Sequence, residues 1–86
     1  MSLRQLEYFV AVAEEGHVGR AARRCYVSQP PMSRQIRALE DELGASLFDR
    51  IPQGMKLSAA GQRFMGYARD VLAAADRARE ALREDD

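Results

Sequence analysis

A mainly helical fold, with three short helices, one small β-hairpin and a long terminal helix, is what this 86-residue sequence predicts. Three observations predict it. Apolar residues recur at helical spacing up to Leu43, a short apolar-polar stretch brackets Ile51-Pro52-Gln53-Gly54, and a seven-residue apolar repeat runs through the last third. Apolar residues make up 47% of the chain and charged residues 30%, the balance of a soluble globular protein. This length suits one small domain with at most an appendage. A chain so short buries only about 60–65% of its unfolded surface, which favours a partner that covers more.

The first helix spans about residues 3–14, with Leu3, Leu6, Phe9/Val10 and Ala13 forming a buried stripe. Glu14, Glu15 and Gly16 end it, Gly16 suiting the left-handed position after a helix. Val18 to Val27 (VGRAARRCYV) reads as a second, short helix with Val18, Ala21, Ala22 and Cys25 inward and Tyr26-Val27 as the turn. The third helix runs from about Gln29 to Leu43. Met32, Ile36, Leu39 and Leu43 fall within about 60° of one another at ~100° per residue. Pro30, Ser33, Arg34 and Arg37 fall opposite them. Pro30 and Pro31 occupy the first turn, where a missing amide hydrogen costs nothing. They also remove donors that would grip a phosphate, so this tip suits base edges and thymine methyl groups better.

Gly44 stops the third helix, and residues 45–58 (ASLFDRIPQGMKLS) read as a hairpin with Gly54 in its turn. Phe48 and Leu57 tuck beneath it, while Arg50, Gln53 and Lys56 point towards a nucleic-acid backbone or minor groove. Ser58 caps the last helix, which runs from about Ala59 to Arg83, roughly 37 Å at 1.5 Å per residue. Phe64, Ala68, Val71, Ala75, Ala78 and Leu82 repeat at 4-3-4-3-4 spacing, a heptad seam. It extends too far for so small a core to cover, which points to a partner helix. The competing account is a long amphipathic helix lying on its own domain.

Charge is distributed rather than abundant. Net charge is zero, yet from Gly16 to Leu39 there are five arginines (Arg20, Arg23, Arg24, Arg34, Arg37) and no acid. Acids collect at Glu14-Glu15, Glu40-Asp41-Glu42 and Glu84-Asp85-Asp86. A DNA phosphate senses the field within about 10 Å, not the sum over the chain. Taken alone, Arg20, Arg23 and Arg24 would be a solvated helix face; beside residues 28–37 they become part of a basic surface. One His and one Cys give no metal-ligand cluster and no nucleophile with a base, so neither enzyme nor metalloprotein is expected, and no cofactor. Cys25 reads as a small core residue rather than a redox sensor. His17 reads as a loop residue before the second helix. The sequence shows no export signal and no apolar run of about 18 residues, so a cytoplasmic protein is expected, off the membrane.

Two short helices followed by a hairpin make a winged helix-turn-helix. The chain closely resembles the N-terminal region of LysR-type transcriptional regulators. The resemblance rests on Leu6-Glu7-Tyr8-Phe9, Val12-Ala13-Glu14, Ala21-Ala22, Val27-Ser28-Gln29-Pro30, Ser33-Arg34-Gln35-Ile36, Leu39-Glu40, Leu43-Gly44, Leu47-Phe48, Arg50, Leu57-Ser58 and Ala60-Gly61. It implies a winged helix-turn-helix over about 1–58, with the helix-turn-helix about 18–37 and the wing about 45–57, then a linker and dimerisation helix over 59–86. It further implies homodimers through that helix, which set two recognition helices into successive major grooves of an inverted-repeat operator. By the same resemblance, Gln29, Pro30, Pro31, Ser33 and Arg34 match the positions that meet bases or adjacent phosphates. Arg37, Arg50, Gln53 and Lys56 serve the backbone and wing.

Three features depart from the family pattern. Where the family carries Ser-Phe-Thr or similar, this chain has His17-Val18-Gly19, which implies a poorer cap for the second helix and a smaller core side chain. Gln53 stands where the wing often carries arginine. The family continues into an effector-binding domain that these residues do not include, so the chain reads as an excised N-terminal part, and any small-molecule effector would act through the missing part. The expected function is sequence-specific duplex binding by a homodimer that regulates transcription. The rival reading is a dimerisation module that leaves DNA unbound and sequesters related regulators.

Overall fold

The computed structural model describes residues 1–83; the acidic Glu84-Asp85-Asp86 end of the expected last helix lies outside the described residues. The order is α1 (Leu3–Glu15), α2 (Val18–Arg24), α3 (Gln29–Leu43), β1 (Phe48–Ile51), β2 (Gly54–Leu57) and α4 (Ala59–Arg83). It is the mainly helical architecture with a two-stranded hairpin that the sequence predicts.

Helix α1 begins in a capping box. The Ser2 hydroxyl accepts the Gln5 amide N–H at 3.1 Å, and Gln5 Oε1 accepts the Ser2 N–H at 3.0 Å. The helix is enclosed by α2, α3 and α4, so Leu6 and every residue from Tyr8 to Val12 are buried. That is broader than the expected single stripe. Leu3, expected within it, is exposed because the stripe's first turn overhangs the core.

Helix α2 is shorter than expected and ends one residue before Cys25, which is a half-buried cap residue. Tyr26 then takes φ +59°. Its N–H donates to the Arg23 carbonyl and the Val27 N–H to the Ala22 carbonyl, at 3.2 and 3.0 Å. This paired reversal satisfies carbonyls that the helix end would orphan, and its left-handed residue is usually glycine. In α3, Met32, Ile36 and Leu39 are buried, whereas Leu43 is 37% exposed where the last turn runs past the core.

The strands pair antiparallel with Phe48 opposite Leu57, Asp49 opposite Lys56, Arg50 opposite Met55 and Ile51 opposite Gly54, leaving Pro52-Gln53 as a two-residue loop. The hairpin is docked by its backbone: the Met55 N–H donates to the Gly16 carbonyl at 3.0 Å. Gly54 sits at φ +138°, and a Cβ there would collide with that same carbonyl oxygen. Only glycine fits this turn.

The Phe9 ring lies between Phe48 and Phe64, with centroids at 5.4 and 5.2 Å, joining α1, β1 and α4 through tilted aromatic packing. Ser58 Oγ caps α4 by accepting the Gly61 N–H at 3.0 Å, and donates to the Ser46 carbonyl at 2.6 Å. Two expected seam residues are thereby reassigned: Ala68 is 1% exposed and Phe64 is half-buried, both within the chain's own core. The packed unit accordingly reaches past residue 58 into α4, through Met65 and Ala68 to Leu72. Beyond that point the helix projects, and the molecule measures 49 × 25 × 19 Å.

Candidate nucleic-acid interface

The site grows from the way α3 is held. Burial of Met32, Ile36 and Leu39 fixes the helix in rotation, so the residues between them face outward. Gln29, Pro30, Ser33, Arg34 and Arg37 are exposed, and Pro31 is half-buried. Gln35 on α3 accepts a hydrogen bond from Gln5 Nε2 at 3.0 Å, a polar tie that locks α3 to α1.

The prolines shape the tip in a second way. Ser28 is the residue before α3, and its hydroxyl makes no capping hydrogen bond. A capping oxygen accepts from the second or third helical residue. Those are Pro30 and Pro31, and neither has an N–H. The Ser28 hydroxyl therefore stays exposed at the tip of α3 with no intrahelical donor to satisfy it.

The wing lies against this helix. His17, Gly19, Gln29, Ser33, Arg50, Gln53 and Met55 line one cleft between the start of α2, the tip of α3 and the hairpin. A neighbouring hollow joins Ser33, Arg37 and Arg50. Gln29, Ser33, Arg37, Arg50 and Gln53 thus share one continuous surface. Lys56 does not join it. The strand pairing puts Lys56 opposite Asp49, on the face away from Arg50 and Met55. Glu40 steadies the approach to the wing, accepting the Leu47 N–H at 2.7 Å.

Electrostatics sort the arginines into two sets. Among the described residues, Arg34, Arg37 and Arg50 make no ion pair with the chain itself, so their charge faces outward. Arg24 is instead engaged by Glu14 and Glu15 of α1 at 2.7 and 3.2 Å, and Arg20 donates to the Glu15 backbone carbonyl. The apparent basic run of the sequence is therefore partly neutralised at its α2 end. Arg69 of α4 also bonds Glu14, at 3.0 Å. Hydrogen bonds from Arg24 and then Arg69 hold the Glu14 carboxyl below its usual range, against a smaller opposing effect of burial. Burial pushes the Cys25 thiol up, which suits an inert packing residue.

Two contributors escaped the sequence reading. His17, expected to cap poorly, does cap α2: its Nδ1 accepts the Gly19 and Arg20 N–H groups at 3.0 and 3.4 Å. An imidazole can replace a hydroxyl here because its deprotonated nitrogen is an acceptor. Glu40 reads as part of an acidic run and of the Leu39-Glu40 family mark, and neither pattern encodes its hydrogen bond to the Leu47 N–H.

This arrangement is that of a winged helix-turn-helix nucleic-acid-binding domain. Residues 3–62 match the family model described as bacterial regulatory helix-turn-helix protein, lysR family, and the chain belongs to that family. It is 57% identical over 72 residues to the HTH-type transcriptional regulator ClcR of Pseudomonas putida, covering 84% of this chain and 24% of ClcR. The HTH-type transcriptional regulator TfdT of Cupriavidus pinatubonensis is 54% identical over 77 residues, covering 90% of this chain and 34% of TfdT. The chain thus spans a quarter to a third of these relatives. Its fold superposes with TM-score 0.92 on the structure described as the CbnR_DBD-DNA complex, at 47% identity over 99% of this chain and 98% of that one. The DNA-binding unit of LysR regulators is the fold adopted here. No helix among the described residues is long and apolar enough to cross a membrane.

Proposed function

We propose that the chain binds duplex DNA sequence-specifically as a homodimer and so regulates transcription from a promoter, acting in the cytoplasm. One observation carries this: Arg34, Arg37 and Arg50, without an ion pair among the described residues, border the exposed Gln29–Ser33 tip, beside a docked wing. The match to a domain whose structure is described in complex with DNA supports it.

In this reading Gln29, Ser33 and Arg34 meet base edges in the major groove, and Pro30 and Pro31 offer apolar contact to thymine methyl groups. Arg37 and Arg50 hold the backbone, Gln53 carries the wing tip towards the minor groove, and Lys56 approaches phosphate from the outer face. The dimer forms along the projecting part of α4 through Val71, Ala75, Ala78 and Leu82.

Selection from a random duplex pool tests the proposal. Enrichment of one inverted-repeat site, weakened steeply by added salt, is the expected result. A stable dimer that enriches no sequence would overturn it and leave the sequestering module in its place.

A further inference from the structure

The cap of α2 and the tip of α3 meet at a residue without a side chain. Gly19 is buried in the second position of α2, in ordinary helical conformation, so an alanine there meets no backbone strain. A Cβ on it would lie 2.8 Å from His17 Cε1 and 3.1 Å from Gln29 Nε2. The imidazole cannot withdraw freely, because its Nδ1 holds the Gly19 and Arg20 N–H groups at 3.0 and 3.4 Å. The ring must therefore shift within its cap, and the exposed Gln29 amide, at the free end of a flexible side chain, would turn aside as well.

We propose that Gly19 is a specificity-determining residue. With the His17 ring behind it, Gly19 leaves the space that sets the direction of the Gln29 amide, and so the base that Gln29 reads. The inference rests on Gln29 meeting a base, as proposed above. Glutamine distinguishes bases through a paired donor and acceptor, which adenine matches in the major groove. A turned amide loses one half of that pair. Gly19 contacts no base; its influence passes through Gln29.

The experiment compares duplex-pool selections by the parent, Gly19→Ala, Gln29→Ala, His17→Ser and the double variant His17→Ser/Gly19→Ala. Gln29→Ala identifies which base position the side chain reads. Gly19→Ala is expected to lower discrimination at that same position roughly tenfold, within the range of one bidentate contact, and to leave the other positions unchanged. His17→Ser/Gly19→Ala, with a smaller capping side chain, is expected to restore part of the preference. Thermal melts of each variant accompany the selections. If Gly19→Ala proves unfolded, His17→Ser/Gly19→Ala against His17→Ser supplies the comparison, with a smaller shift at the Gln29 position expected.

An enriched site that Gly19→Ala leaves unaltered overturns this inference alone, as does a loss spread evenly over all positions. A parent that enriches no site overturns the DNA-binding proposal, and this inference with it.

Discussion

Tyr26 holds a left-handed backbone at φ +59° with its side chain 95% exposed. An L-residue pays about 1–2 kcal/mol for that conformation, and Tyr26 recovers nothing from packing. Glycine avoids the clash but loses more chain entropy on folding. Tyr26→Gly is therefore expected to raise stability by up to about 1 kcal/mol, read as a higher melting temperature. Arg34 belongs to the same scale. It is exposed on the outward side of α3 and makes no ion pair among the described residues. Arg34→Ala should cost ~1–3 kcal/mol of affinity for the selected site and much less for scrambled duplex. Equal loss on both would make Arg34 a backbone contact. Arg34 was legible because apolar spacing in α3 left it nowhere else to point. His17 was not, since whether a ring nitrogen reaches two amides depends on a rotamer that no spacing encodes.

At the scale of elements, the wing and α4 are tied to the helices by core packing and by a few identifiable polar links. Gly54 is the tightest: a side chain there meets the Gly16 carbonyl and cannot adopt φ +138°. Gly54→Ala should destabilise by about 2–3 kcal/mol, lowering the melting temperature by roughly 10 °C or more. The Glu14 link behaves differently because it titrates. Its carboxyl is depressed in the fold by Arg24 first and Arg69 second. A depressed carboxyl adds stability above its unfolded value of about 4.3, and that share disappears as pH falls through the lower folded value. Glu14→Gln should thus lower stability at neutral pH by no more than about 1 kcal/mol, since the pairs are solvent-screened. Melts recorded at decreasing pH should show the gap to the parent closing below about pH 4. The hairpin was legible from Gly54 and its flanks. Its docking on the α1–α2 loop was not, because that bond joins two backbones.

For the whole molecule, the seven-residue repeat divides between buried and exposed positions. Ala68 is 1% exposed in the chain's own core, whereas Val71 and Leu82 are 41% and 73% exposed further along α4. Spacing cannot separate them, for a core and a partner helix impose the same period on a helix face. The structure separates them by burial, since packing of α4 on the core reaches Leu72. Val71→Asp should yield a folded monomer in sedimentation, while Ala68→Asp should lose the fold itself by burying a charge. A folded dimer with Val71→Asp would place the contact between copies elsewhere. The fold class was fully readable in advance. The seam was readable only as a period, and its division needed three dimensions.

The projecting length of α4 has one more consequence, in phase rather than energy. Each residue added to a helix advances it about 1.5 Å and turns it about 100°. One residue inserted after Leu72 would swing the exposed face far round while scarcely lengthening the arm. Seven would return that face to within about 20° and carry it ~10 Å further. In a dimer built on this helix, the distance between the two DNA-reading heads changes in steps that keep the helix in phase, near seven or eleven residues. Operator spacing would then drift across relatives in jumps, not by single base pairs.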